Sequence, residues 1–281
     1  MVFVRVWEGL GNQLFQYAYA RALALRTGQK VYLDISAYEG NGKHIRQYGL
    51  CHFRIRLATL NCGNIFPLAN DDKYYMTGSR YPRYLPVKFI REDNCCFNSD
   101  FCSLGGLTYV KGWFQNENYF KEFEQNIRKE IYPKERIRIP KEMRNILDDK
   151  NTVSVHIRRG DFQKDHNVLP VSYYEKAKRC ITDLVDKPYY LIFSDDISWV
   201  KQNMDFGSRS FFMGETHLFK DYEELMIMSR CRHNVIANST FSWWGAWINA
   251  YEEKIVIAPK KWFLRSSRTD ADIVPDNWIK L

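Results

Sequence analysis

Val153-Ser-Val-His-Ile-Arg-Arg-Gly-Asp161 decides how the chain folds. Val153, Val155 and Ile157 alternate with Ser154, His156 and Arg158. An extended strand of this pattern has one apolar face and one carrying an imidazole and a guanidinium. Arg159-Gly160-Asp161 opens the loop that follows. Outward from here the sequence reads as helix 171–184, strand 189–193, short helix 197–204, strand 210–213, helix 219–231, strand 234–237, helix 241–251 and strand 254–258. Strands and helices in alternation imply parallel pairing through right-handed crossovers, hence an open α/β sheet.

The N-terminal part repeats the theme. Val2–Trp7 reads as a buried strand, Gly9-Leu10-Gly11 as a turn, and Asn12–Thr27 as a helix. Leu14, Ala18, Ala22 and Leu25 form its apolar stripe, and Gly28 supplies a C-terminal stop. Val31–Ile35 completes a βαβ unit. From 37 to 110 periodicity is weak, Lys111–Ile131 reads as helical, and Pro133–Pro140 as a linker. The expected architecture is α/β with two Rossmann-like domains facing a cleft. The expected boundary divides residues 1–145 from 146–281, with the stretch from Lys261 packing back on the N-terminal half.

A chain of 281 residues with 45% hydrophobic and 26% charged side chains buries a core, which excludes disordered, collagen-like and coiled-coil classes. Aromatic residues reach 16%, and large rings serve both cores and carbohydrate or nucleotide pockets. The net charge of +8 suits an anionic ligand, and it allows peripheral contact with an acidic membrane surface. The basic residues are dispersed, so nucleic-acid binding is not expected. No apolar run of about 20 residues is present, and Met1–Trp7 is unlike a secretory signal. Seven cysteines, without paired CxxC spacing and with Cys95 and Cys96 adjacent, read as reduced thiols of a cytoplasmic protein without structural zinc.

Ligands of open parallel sheets bind beyond the carboxyl ends of the strands. Three loops there are chemically distinctive. Glu8-Gly-Leu-Gly-Asn-Gln13 offers glycine backbone (Gly9, Gly11) and the amides of Asn12 and Gln13 before a helix N terminus. Its resemblance to a dinucleotide fingerprint, with Asp34 ending the next strand, is broken by Leu14. In the second loop Arg158 and Arg159 need an anion or a carboxylate; Asp161 neutralises one guanidinium and leaves the other for a diphosphate. His156 reads equally as a core histidine or a base. The third loop, Asn238-Ser-Thr240, supplies helix-capping residues that would meet phosphate, and the tryptophans after Phe241 read as packing. Asp195-Asp196 reads as a turn or cap rather than a metal site.

Four strings, GLGNQLFQYAYARALA (Gly9–Ala24), HIRRGD (His156–Asp161), FSDD (Phe193–Asp196) and NSTFSWWGAW (Asn238–Trp247), together resemble the bacterial α-1,2-fucosyltransferases of glycosyltransferase family 11. The likeness runs from residue 2 to about 260 and is weakest over 37–110. The resemblance implies a GT-B fold, a GDP-fucose donor, a galactose-terminated oligosaccharide acceptor, inversion at the anomeric carbon and no metal or other cofactor. It implies that Arg158 holds the donor diphosphate, while Gly11, Asn12 and Gln13 close over the donor; His156 and Asn238, Ser239, Thr240 and Phe241 join it as donor contacts. The general base is left open, with Glu8 and Asp161 as candidates; many relatives carry glycine at the position of Glu8. A polysaccharide- or O-antigen-building enzyme, cytoplasmic or peripheral to the inner membrane, is the expected setting. The competing classes are another GDP-sugar transferase, a nicotinamide oxidoreductase using Gly9, Gly11 and Asp34, and a non-catalytic glycan-binding module. The oligomeric state is not legible.

Overall fold

The computed structural model describes residues 1–38, 46–62, 87–92, 96–214, 218–264 and 273–281. Much of the weakly patterned stretch, and Cys95, lie outside the described residues. The chain divides into two compact units, one of residues 1–135 and one starting at Arg136.

The first unit holds strands β1 (Val2–Arg5), β2 (Val31–Asp34), β3 (Ala58–Leu60), β4 (Lys88–Arg91) and β5 (Thr108–Lys111), in spatial order β3-β2-β1-β5-β4, all pairings parallel. Helix α1 (Leu10–Thr27) covers the sheet, with Leu14, Ala18 and Ala22 fully buried. It begins at Leu10 rather than Asn12, so Gly11 sits inside its first turn. It ends where expected: Gly28 takes φ 66°, and its N–H donates to the Ala24 carbonyl. The helix expected over Lys111–Ile131 is not formed. Strand β5 occupies its start, and only α2 (Glu124–Glu130) is α-helical. Phe114 stands at φ 52°, and the Asn116 side chain accepts from Asn118 N–H to build a 3₁₀ turn. Local side-chain bonding of this kind competes with helix.

The second unit holds helix α3 (Lys141–Leu147), strand β6 (Thr152–Ile157), α4 (Val171–Leu184), β7 (Tyr189–Ser194), α5 (Ile197–Asn203), β8 (Ser210–Phe212), α6 (Asp221–Met228), β9 (His233–Val235), α7 (Thr240–Ile248), β10 (Val256–Ala258) and β11 (Ile279–Lys280). The sheet order is β11-β10-β9-β6-β7-β8, again all parallel. Met143 and Leu147 of α3 pack with Leu191 and Phe193 of β7, so α3 belongs to this unit's core. The C-terminal strand β11 pairs with β10, so the end of the chain extends this sheet. Two apolar layers flank the sheet. Val153, Val155 and Ile157 face α4 and α5 on one side; Leu191 and Phe193 face α3, α6 and Phe241 on the other.

Candidate active site

In each sheet the chain leaves the first strand to build one side and later returns to build the other. The strands that meet at this reversal are β1 and β5 in the first unit, and β6 and β9 in the second. Crevices at such reversals are where open α/β sheets bind ligands.

In the second unit, β6 is buried throughout, and Arg158 emerges at its carboxyl end. The register Ile157↔Ser194 sets Arg158 level with Asp195, and the two make an ion pair at 2.9 Å. Arg158 also donates to Asp161 at 2.7 Å and lies over the Phe162 ring, 5.6 Å from its centroid. Arg159 is held differently. Its backbone N–H donates to Asp195, its side chain pairs with Asp196 at 3.4 Å, and its guanidinium stacks 3.3 Å from the centroid of Trp199. The expectation that Asp161 satisfies one arginine and leaves the other unpaired is therefore corrected: Asp195 and Asp196 complete a network in which both are paired. Asp196 also caps α5, accepting from Trp199 N–H, as a turn-or-cap reading requires. A guanidinium has N–H donors beyond the two that Asp161 and Asp195 engage, and the Arg158 side chain keeps 20% exposure. Gly160 is needed for this arrangement, since a Cβ there would sit 2.6 Å from the Asp195 carboxylate.

On the other flank of β6, the register Val155↔Val235 carries Asn238 and Ser239 level with Arg158 and Arg159. Ser239 takes the N-cap position of α7, but its hydroxyl makes no capping bond. The first backbone N–H groups of a helix have no partner within the helix, so α7 brings uncapped donors to the rim beside Arg158. Thr240 and Phe241, both half-buried, form this first turn. Asn238 is buried; its Nδ2 donates to the carbonyls of Asn167 at 2.9 Å and Trp262 at 3.0 Å, bracing two loops, while its Oδ1 has no partner among the described residues. His156 is buried beneath the Phe241 ring, centroids 5.8 Å apart, and its Nδ1 has no partner among the described residues. Burial first, and the Arg158 charge second, push its pKa down to about 3, so it is neutral near pH 7.

The first unit's loop is more self-contained. Gln13 is fully buried; its Nε2 donates to the carbonyls of Glu8 (2.8 Å) and Gln47 (2.9 Å), and its Oε1 accepts from Gly49 N–H (2.8 Å). That amide is committed to the fold, against the expectation that it closes over a ligand. Gln16 similarly joins Trp7 to Gly112 across β1 and β5. Asn12 is half-buried, its Oδ1 held by Gln115 Nε2 at 2.9 Å, a contact across the reversal that gives Gln115 a positioning role. Gly11 is buried in the first turn. Glu8 is exposed and stands at φ 69°. Glycine is the residue that takes such a conformation without strain, which gives a physical reason for the glycine expected at this position. Asp34 is fully buried; it accepts from Ser36 N–H and Oγ, Cys62 N–H and the Tyr109 hydroxyl, so it is not placed to hold a ribose.

The predicted residues thus fall in two groups: His156, Arg158, Asp161, Ser239, Thr240 and Phe241 around the second unit's reversal, and Glu8, Gly11, Asn12 and Gln13 around the first unit's. What the sequence reading missed was Asp195 as the partner of Arg158. The signal was there: β6 and β7 are consecutive parallel strands, so their next residues share a rim.

A family model for glycosyl transferase family 11 matches residues 90–281. The chain is 31% identical to an alpha-1,2-colitosyltransferase of Escherichia coli, over 100% of this chain and 99% of that one. It is 30% identical to the O-antigen biosynthesis glycosyltransferase WbnK of Escherichia coli, over 97% and 98% of the two chains. Galactoside alpha-(1,2)-fucosyltransferase 1 of Pan troglodytes is 24% identical, over 96% of this chain and 71% of the other.

Proposed function

The chain belongs to glycosyl transferase family 11, and on that premise we propose that it moves L-fucose from GDP-fucose to the 2-hydroxyl of a terminal galactose, with inversion and without a metal. The observation that carries this reading is the pairing, at one rim, of Arg158 with the uncapped first turn of α7. As the bond between the sugar C1 and the β-phosphate oxygen parts, its electron pair stays on the phosphate. A preorganised guanidinium and helix N–H donors stabilise that growing charge. The acceptor oxygen forms its bond to C1 from the opposite face and gives up its proton. Asp161 and Asp195 orient the guanidinium, which fits Asp161 better as a positioning group than as the base. In the first unit, the Asn12 amide, whose Oδ1 accepts from Gln115 Nε2, is the candidate for a sugar contact.

A second reading keeps the site and changes the sugar: the colitosyltransferase relative favours a colitosyl donor. The test is incubation with GDP-fucose and a panel of galactose-terminated oligosaccharides, with and without EDTA, and NMR of the product linkage. Fucosylation at the galactose 2-position, unaffected by EDTA, is the expected result. Turnover only with another GDP-sugar moves the assignment to the second reading, and hydrolysis or transfer that EDTA abolishes removes the metal-free mechanism.

No helix among the described residues is long and apolar enough to cross a membrane. The net charge of +8 supports peripheral docking on an anionic bilayer carrying the acceptor. Co-sedimentation with anionic but not neutral liposomes at low salt is expected, and no binding to either discards it.

A further inference from the structure

The end row of the first unit's sheet carries charge that the mechanism leaves without a task. Across the five strands, the registers set Leu60, Asp34, Arg5, Lys111 and Arg91 level with one another at the carboxyl edge. Two residues earlier on their strands, Phe3, Tyr32, Phe89 and Tyr109 belong to an aromatic layer that holds no residue of α1. Phe3 stacks on Tyr32, and Phe89 on Tyr109. Residues two apart on a strand share a face, so Asp34, Arg5, Lys111 and Arg91 continue that layer on the side away from α1.

The row is positive, because three cations stand there against one carboxylate. Neighbouring strands lie about 4.8 Å apart, so the backbones bearing Arg5, Lys111 and Arg91 fall within about 10 Å. All three side chains are half-buried. Like charges on adjacent strands work against the sheet, a cost that binding an anion offsets. One step beyond the row, Trp7 follows β1 and Trp113 follows β5. Both rings are half-buried, with centroids 5.0 Å apart and planes at 55°, and Lys111 Nζ lies 5.7 Å from the Trp7 centroid. Their backbones are anchored: Trp7 N–H donates to Gln16 Oε1 at 3.1 Å, and Trp113 N–H to Glu92 Oε2 at 2.7 Å.

An indole face takes up the C–H face of a pyranose as it takes up other apolar surface. Guanidinium and ammonium groups beside it take up a carboxylate or phosphate through charge-assisted hydrogen bonds. A neutral glycan would use the rings and leave the cations idle; an acidic one uses both. We propose that the first unit's rim selects an acidic acceptor: a galactose-terminated glycan with a carboxylate or phosphate on the sugar next to that galactose. Trp7 and Trp113 bear the sugar, and Lys111, with Arg5 and Arg91 beside it, pairs with the anion. The inference rests on the reading of the chain as a galactoside transferase whose donor sits on the second unit, which leaves this rim to the acceptor.

Calorimetric titration of the full chain, with GDP present, tests it on three probes: galactosyl-glucose, galactosyl-glucuronate and galactosyl-glucose 6-phosphate. At low salt an acidic probe is expected to bind about tenfold more tightly than the neutral one, and the tighter of the two acidic probes identifies the anion. High salt shrinks the difference. Lys111→Gln and Arg91→Gln each narrow it to about threefold. Lys88→Gln, which removes the same charge from the other face of β4, leaves it intact. Trp7→Ala weakens neutral and acidic probes alike, by about tenfold. A wild type without the preference, or one whose preference survives high salt and both row variants, overturns the acidic-acceptor role and leaves fucosyl transfer standing. A wild type that binds none of the three probes overturns the galactoside reading as well.

Discussion

The two strand reversals are built alike and provisioned differently. At β1/β5 the polar side chains satisfy one another: Gln13 holds Glu8, Gln47 and Gly49, Gln16 joins Trp7 to Gly112, and Asp34 takes four donors from its own unit. At β6/β9 the backbone donors of α7 are uncapped, His156 Nδ1 has no described partner, and Arg158 is held at the rim by carboxylates from two loops. The lesson is that amide-rich loops after a strand announce structure as readily as recognition. A charged group kept at a rim beside open helix N–H groups announces chemistry.

The sharpest way to break this contrast is to remove the cation. Arg158→Ala should lower turnover by about 10²–10³, the usual loss of one leaving-group stabiliser, while circular dichroism and melting stay near wild type. Near-normal turnover would place the chemistry elsewhere. Gln13→Ala should do the opposite. Leaving Gly49 N–H and two carbonyls without their partner costs about 1–3 kcal/mol of stability, read by urea denaturation, with turnover of the folded protein little changed. A large fall in kcat with full stability would return Gln13 to the donor.

Two groups of the second unit should give opposite pH slopes. His156 has a folded pKa of about 3 against an ordinary value of 6.5. Between these values the unfolded chain binds a proton that the folded chain does not, so its contribution to stability is lost as pH falls from about 6.5 toward 3, by about 1.4 kcal/mol per pH unit at most. His156→Phe should flatten that slope. Glu224 is raised from 4.5 to about 7, so its proton is held by the folded state and stability declines as pH rises through that window. Glu224→Gln should therefore raise Tm at pH 8 and leave it unchanged near pH 4. The absence of either difference would mean that the group is solvated. The smallest effect is expected at Glu8: Glu8→Gly relieves the left-handed backbone and should add about 1 kcal/mol of stability. Turnover within about twofold of wild type is expected, whereas a fall of about 10² would make Glu8 the base.

The second unit was legible because its strands alternate cleanly with helices and its rim residues follow apolar runs. Arg158 could be placed from the alternation of Val153, Val155 and Ile157 alone. Its partners were harder: Asp195 becomes its neighbour only through the β6–β7 register, and Trp199 meets Arg159 only through the cap that Asp196 forms on α5. The first unit hid more. Its interior strand β5 is four residues long and sits between β1 and β4 after a stretch without periodicity. The run after it reads as helical in the sequence, whereas Phe114 at φ 52° and the Asn116 turn break the helix. The family strings suggest a donor and a linkage, which residue patterns alone do not reach. The strings also suggested a ligand role for Gln13, whose amide the fold takes up at both ends.

The most direct test of the account is a crystal structure of the protein soaked with GDP. The account predicts the β-phosphate within about 3 Å of the Arg158 guanidinium and of the first N–H groups of α7. A diphosphate seated instead in the Gly9–Gln13 loop, with Arg158 still closed on Asp161 and Asp195, would contradict it.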